Sequence, residues 1–135
     1  MKYNSDTIKL ISLFEKITHA RLKDLFYQPG PIFVIEQGDL RKALGKDNAN
    51  IKKLEHLLKK RIKIIEFSSS VLQFVLNVIA PIRVADIKEE DDKIIIVSKE
   101  TKSRGYLIGR AASNLRNFEI IVKKYYPTVK EIKVV

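Results

Sequence analysis

Short apolar runs and apolar stripes spaced by three and four alternate along the 135-residue chain, and the same order occurs twice. Ile32-Phe33-Val34-Ile35 and Ile94-Ile95-Ile96-Val97 are short and mostly β-branched, which predicts buried strands over 31–36 and 93–98. Each leads into a short helical segment, 39–44 or 102–108, and then to a glycine. Beyond the glycine, Ile51, Leu54, Leu57 and Leu58 recur at helical steps, as do Leu115, Phe118, Ile121 and Val122. Alternating segments over 61–67 and 129–135 read as closing strands. In front of each set lies another helix. One covers 7–17, with Ile8, Ile11 and Phe14 inward and Leu10 and Ile17 beside them, and the other covers 70–79, capped by Ser68-Ser69-Ser70. Strands over 21–27 and 82–87 follow, ended by the turn signals Gln28-Pro29-Gly30 and Glu89-Glu90-Asp91-Asp92. The predicted order is helix, strand, strand, helix, helix, strand, twice over. This is an α+β fold class in two domains, 1–67 and 68–135, and with no Gly- or Pro-rich linker between them a close, fixed tandem is expected.

The repeat also holds residue by residue, at an offset of 64. Ala43-Leu44-Gly45-Lys46-Asp47-Asn48-Ala49-Asn50-Ile51-Lys52 aligns with Leu107-Ile108-Gly109-Arg110-Ala111-Ala112-Ser113-Asn114-Leu115-Arg116. The match continues through Leu54 with Phe118, Glu55 with Glu119, and Lys59-Lys60 with Lys123-Lys124. Upstream, Ile32 to Ile35 parallels Ile94 to Val97; downstream, Ile62-Lys63-Ile64 parallels Ile132-Lys133-Val134 after six extra residues that include Tyr125 and Tyr126.

Charge sharpens the picture. The chain carries +10 with a pI near 9.8, which favours a polyanionic partner. The excess is uneven: +1 over residues 1–37, +5 over 38–66, −2 over 67–98 and +6 over 99–135. Each basic block is centred on one of the glycine turns. Absence of cysteine removes disulfide scaffolds, zinc fingers, iron–sulfur sites and thiol chemistry. His19 and His56 stand singly and are expected to be ordinary surface or half-buried side chains, and the acidic run from Glu89 to Asp92 an ordinary solvated turn rather than a metal site. The start, Met1 to Asp6, is polar, and the longest apolar stretch, 71–82, falls short of the roughly 20 residues that a membrane span needs. No phosphate-loop or nucleophile–base signature occurs, so a non-enzyme without cofactor or metal is expected.

A glycine between two short helices permits a sharp turn, and the next helix then presents unbonded N–H groups and the positive end of its dipole. Lys46 or Arg110 adds a cation beside it. In each copy, strand, short helix, Ile/Leu-Gly-Lys/Arg-x-x-x-Asn-Ile/Leu-Lys/Arg, basic helix and strand together resemble the KH domain, whose loop is Gly-x-x-Gly. With the additional helix and strand in front, both copies resemble the type II arrangement, with helices on one face of a three-stranded sheet. The stretches Phe33-Val34-Ile35-Glu36-Gln37-Gly38-Asp39, Asn50-Ile51-Lys52-Lys53-Leu54-Glu55 and Ile64-Ile65-Glu66-Phe67 leading to Ala80-Pro81 are similar to archaeal NusA-like transcription factors. That resemblance covers about residues 5–135.

The resemblance implies single-stranded RNA binding in transcription elongation, termination or antitermination, with about four nucleotides clamped per KH fold. It implies RNA polymerase as a protein partner, no membrane and no small-molecule substrate, and a cytoplasmic monomer. The residues carried over are the loops Gly45, Lys46, Asp47, Asn48 and Gly109, Arg110, Ala111, Ala112, with Asn50, Lys52, Lys53, Asn114 and Arg116 behind them. Both loops lack glycine at the fourth position, so a protein-interaction scaffold, polymerase- or ribosome-associated, with weakened RNA binding is the alternative. Loss of open access, rather than of a positive φ, is the expected consequence, because Asn48 and Ser113 read as helix N-caps with ordinary backbone angles. Tyr125 and Tyr126 suit either base stacking or closing the second core.

Overall fold

The computed structural model describes residues 4–27 and 30–135. Met1 to Tyr3 of the polar start, and Gln28 and Pro29 of the expected turn, lie outside the described residues. The chain divides into two compact units between Ser68 and Ser69. The first holds α1 (Ser5–Thr18), β1 (Leu22–Phe26), β2 (Ile32–Ile35), α2 (Leu40–Leu44), α3 (Ala49–Leu58) and β3 (Lys63–Glu66). The second holds α4 (Val71–Ile79), β4 (Val84–Glu90), β5 (Lys93–Ser98), α5 (Thr101–Ile108), α6 (Ser113–Tyr125) and β6 (Glu131–Val134). One 3-10 turn joins the paired helices in each unit, Lys46–Asn48 and Arg110–Ala112. The sheets run β1-β2-β3 and β4-β5-β6, the first pair antiparallel and the second parallel. A parallel pair needs a crossover, and the two helices with their turn supply it.

Side chains alternate across a strand, so Phe33 and Ile35 share one face of the first sheet. They join Phe14 of α1, Ala43 of α2, Leu54 of α3 and Leu25 of β1 in one buried cluster, which puts all three helices on that face. The Phe14 and Phe33 rings stack at 4.3 Å between centroids. In the second unit Phe74 and Val78 of α4, Leu107 of α5, Ile121 and Val122 of α6, and Ile94, Ile96, Ile132 and Val134 of the sheet are buried. Each unit is a type II KH fold.

Several local expectations are corrected. Strand β4 starts two residues later and runs on through Glu89 and Glu90, which pair with Ile94 and Lys93, so the turn is only Asp91 and Asp92. Both closing strands are shorter than their alternating patterns. Ile8 and Leu57 lie on the expected apolar stripes yet are more than half exposed, because Phe14 and Leu54 already fill the cluster at its centre. The strand alignment also shifts by one residue. A bulge interrupts β1 between Leu22 and Asp24, and another interrupts β4 between Val84 and Asp86. In each, the aspartate Oδ1 accepts from the next backbone N–H, of Leu25 or Ile87, at 2.9 Å. Taking the bulges as equivalent sets Ile32 against Ile95 and Phe33 against Ile96, where the apolar runs alone set Ile32 against Ile94. A one-residue slip exchanges sheet faces, and only the corrected alignment puts core residues in register.

Candidate nucleic-acid interface

Each glycine turn is built the same way. Gly45 has φ +74 and ψ +173, and Gly109 has φ +73 and ψ +178, a region that is essentially glycine's own. A Cβ on Gly45 would stand 2.8 Å from Asn50 Cγ, and one on Gly109 2.7 Å from Asn114 Cγ. The asparagines come that close because their Nδ2 groups donate back across the turn. Asn50 reaches the Lys42 carbonyl at 3.0 Å and Asn114 the Tyr106 carbonyl at 2.8 Å. This explains the Gly and Asn at matched spacing: the pair bolts the start of the long helix to the end of the short one, and satisfies one of the carbonyls a helix leaves open.

Between these bolts the backbone is left-handed at two successive residues. Asp47 and Asn48 have φ +54 and +61, and Ala111 and Ala112 have φ +53 and +61. The expectation of ordinary angles is therefore overturned. Neither Asn48 nor Ala112 makes a side-chain cap, and Ser113 already sits inside α6 with φ −62. The fourth position of Gly-x-x-Gly calls for glycine because φ is positive there. Asn adopts that region at small cost, whereas Ala does not.

The side chains around the turns are those of an electrostatic surface. Lys46, Asp47, Asn48, Lys52 and Lys53 are exposed in the first unit, as are Arg110, Ala111, Asn114 and Arg116 in the second, while Ala112 is half-buried. Among the described residues none of Lys46, Lys52, Lys53, Arg110 and Arg116 is held in an ion pair. In the second unit a cleft of about 340 Å³ runs from Ala112 along Leu115, Arg116 and Lys123 of α6 to Lys130 and Ile132 at the edge strand β6. Arg116, Lys123 and Lys130 line it beside two carboxylates, Glu119 and Glu131, and Leu115 contributes apolar surface. The Glu119 Oε2 accepts from the Ile132 N–H at 3.0 Å, tying α6 to the edge strand, and Glu55 does the same for Ile62 in the first unit. Lys123 and Lys130 were legible only as part of the basic block, because their meeting at the cleft depends on how α6 crosses β6.

Two further groups hold the frame. Asp39, just before α2, turns its carboxylate to Arg21, accepting from its backbone N–H at 2.8 Å and from Nε at 3.1 Å. These bonds hold the Asp39 carboxyl down at about 2. Tyr125 and Tyr126 pack on Phe74, the first edge-on at 5.5 Å, and so close the second core. His19 and His56 are exposed. Among the described residues no helix is long and apolar enough to cross a membrane.

No family model matches the chain. Individual proteins do. A Methanococcus vannielii protein named "Probable transcription termination protein NusA" is 34% identical, over the whole of this chain and 80% of its own length. The Methanocaldococcus jannaschii protein of the same name is 28% identical over the whole chain and 75% of its length. Among solved structures, the one described as "Crystal structure of APE1850" superposes with a TM-score of 0.69, at 21% identity, covering 98% of this chain and all of that one.

Proposed function

Because this chain belongs to the archaeal family whose members are named probable transcription termination protein NusA, we propose that it is a transcription factor that binds single-stranded RNA through its two glycine turns and is not an enzyme. Transcription is the setting the family supports; RNA as the direct ligand is our reading. The observation that carries it is the duplicated turn. Two loops that differ in three of four residues keep one backbone path, including two successive left-handed residues, and each presents an exposed cation immediately after the glycine. A path held against the cost of a left-handed alanine points to a shape required by a ligand. Lys46 and Arg110 would meet phosphates, and Lys52, Lys53 and Arg116 would flank them. The half-buried Leu115 in the cleft would pack on bases, which single strands expose and duplexes do not. RNA polymerase is the expected protein partner, in the cytoplasm where nascent transcripts emerge.

Asp47, exposed in the first turn, favours a scaffold role for that unit, since it sets a negative charge beside the phosphate position. Titration of the intact chain against a short single-stranded RNA and its duplex, at about 50 and about 200 mM salt, separates the readings. RNA binding predicts single-strand preference and a steep loss with salt. No binding, or indifference to strandedness, would leave only the scaffold.

A further inference from the structure

Tyr106 is among the most exposed large apolar residues of the protein, at 58%, and it lies in the last turn of α5, three residues before Gly109. Three helical residues advance the chain by about 4.5 Å, so its ring is rooted within one nucleotide's reach of the second turn. The root is fixed: the Tyr106 carbonyl is the acceptor of the Asn114 amide, at 2.8 Å. Among the described residues the ring has no aromatic partner, no cation over its face and no hydrogen bond from its hydroxyl. By contrast, Tyr125 and Tyr126 are spent on Phe74. Three exposed cations lie within four residues of Tyr106, Lys102 and Arg104 before it and Arg110 after it.

Resting on the RNA reading above, we propose that Tyr106 is a base-stacking residue, packing its ring on the nucleotide next to the phosphate held at Gly109–Ala112. Stacking is the contact that an exposed, unoccupied ring amid cations offers to a single strand, and it works with any base because every base has a π-face. The first unit cannot do the same. Its equivalent position, whose carbonyl accepts from Asn50, is Lys42. The two copies thus divide the work: the first turn contributes charge alone, and the second contributes charge and a stacking platform.

The test is substitution at Tyr106 in the full chain, with a short single-stranded oligoadenylate as probe. Tyr106→Ala should weaken binding about 5- to 150-fold, the range for loss of one stacked base, while Tyr106→Phe stays close to the unaltered chain. The salt dependence should not change, because no phosphate contact is removed. The chain has no tryptophan, so Tyr106→Trp creates a single tryptophan, excited selectively over the remaining tyrosines, whose fluorescence the oligoadenylate should quench. Equal affinity for Tyr106→Ala, or an unmoved Tyr106→Trp emission, refutes stacking. If Tyr106→Ala binds normally while Lys46→Glu with Arg110→Glu does not, the RNA reading stands and this one falls. An unaltered chain that binds no oligoadenylate or other single-stranded RNA sinks both.

Discussion

Replacing Ala112 by glycine should stabilise the second unit, against the usual expectation for an alanine-to-glycine change. Ala112 sits at φ +61 and ψ +23, where its Cβ crowds the following carbonyl at a cost of about 1–2 kcal/mol. Glycine removes that cost but enlarges the entropy of the unfolded chain by about 0.4–1 kcal/mol. The net gain is about 0.5–1 kcal/mol, and about twice that when Ala111, at φ +53, is changed as well. For a domain of this size 1 kcal/mol moves the midpoint by about 4–8 °C. The matched control lies in the other unit. Asn48 and Asp47 have nearly the same angles, but Asn and Asp tolerate the left-handed region, so Asn48→Gly should be neutral or slightly destabilising. Differential scanning calorimetry of the full chain and the two variants measures both. A lower midpoint for Ala112→Gly, or an equal gain from Asn48→Gly, would show that the turn is not strained at its fourth residue.

Gly109→Ala should act in the opposite direction, losing about 2–4 kcal/mol in urea unfolding, since it meets both a forbidden φ and Asn114 at 2.7 Å; Asn114→Ala should restore only part of the loss. Asp39, held at about 2 by Arg21, is below its unfolded value, so its contribution is complete above about pH 4 and fades as pH falls toward 2; Asp39→Asn should remove that acid-side slope from a stability–pH profile. Lys63 is lowered to about 8 by burial, so the unfolded chain binds the extra proton between about pH 8 and 10.4 and stability should rise with pH in that window, a rise absent in Lys63→Met.

What could be read in the sequence was whatever repeats with a period. The helix and strand order, the two glycine turns and their cations follow from apolar spacing and from one segment aligned on another, and the structure has them. Strand register was not legible, because Ile94 to Val97 is apolar at every position and offers no alternation to choose a face; the bulges at Asp24 and Asp86 choose it instead. Backbone angle was the other blind spot. Asn48 and Ser113 are good cap residues by type, yet neither caps its helix in a turn bolted from Asn50 to Lys42 and from Asn114 to Tyr106. The long-range partners, Asp39 with Arg21 and Glu119 with the β6 backbone, join residues 18 and 13 apart, and no local pattern announces them.

The central claim, that both glycine turns hold RNA phosphates, is met most directly by the salt dependence of single-stranded RNA binding in the intact chain and in the Lys46→Glu, Arg110→Glu double variant. Each single-stranded phosphate contact contributes about −0.7 to the slope of log affinity against log salt, so two turns with flanking lysines predict about −3 to −5. Both residues are exposed and outside any ion pair among the described residues, so the reversal should leave the fold intact while flattening the slope by at least about 1.4. A double variant that binds with the same affinity and the same slope would place the RNA elsewhere and contradict the account.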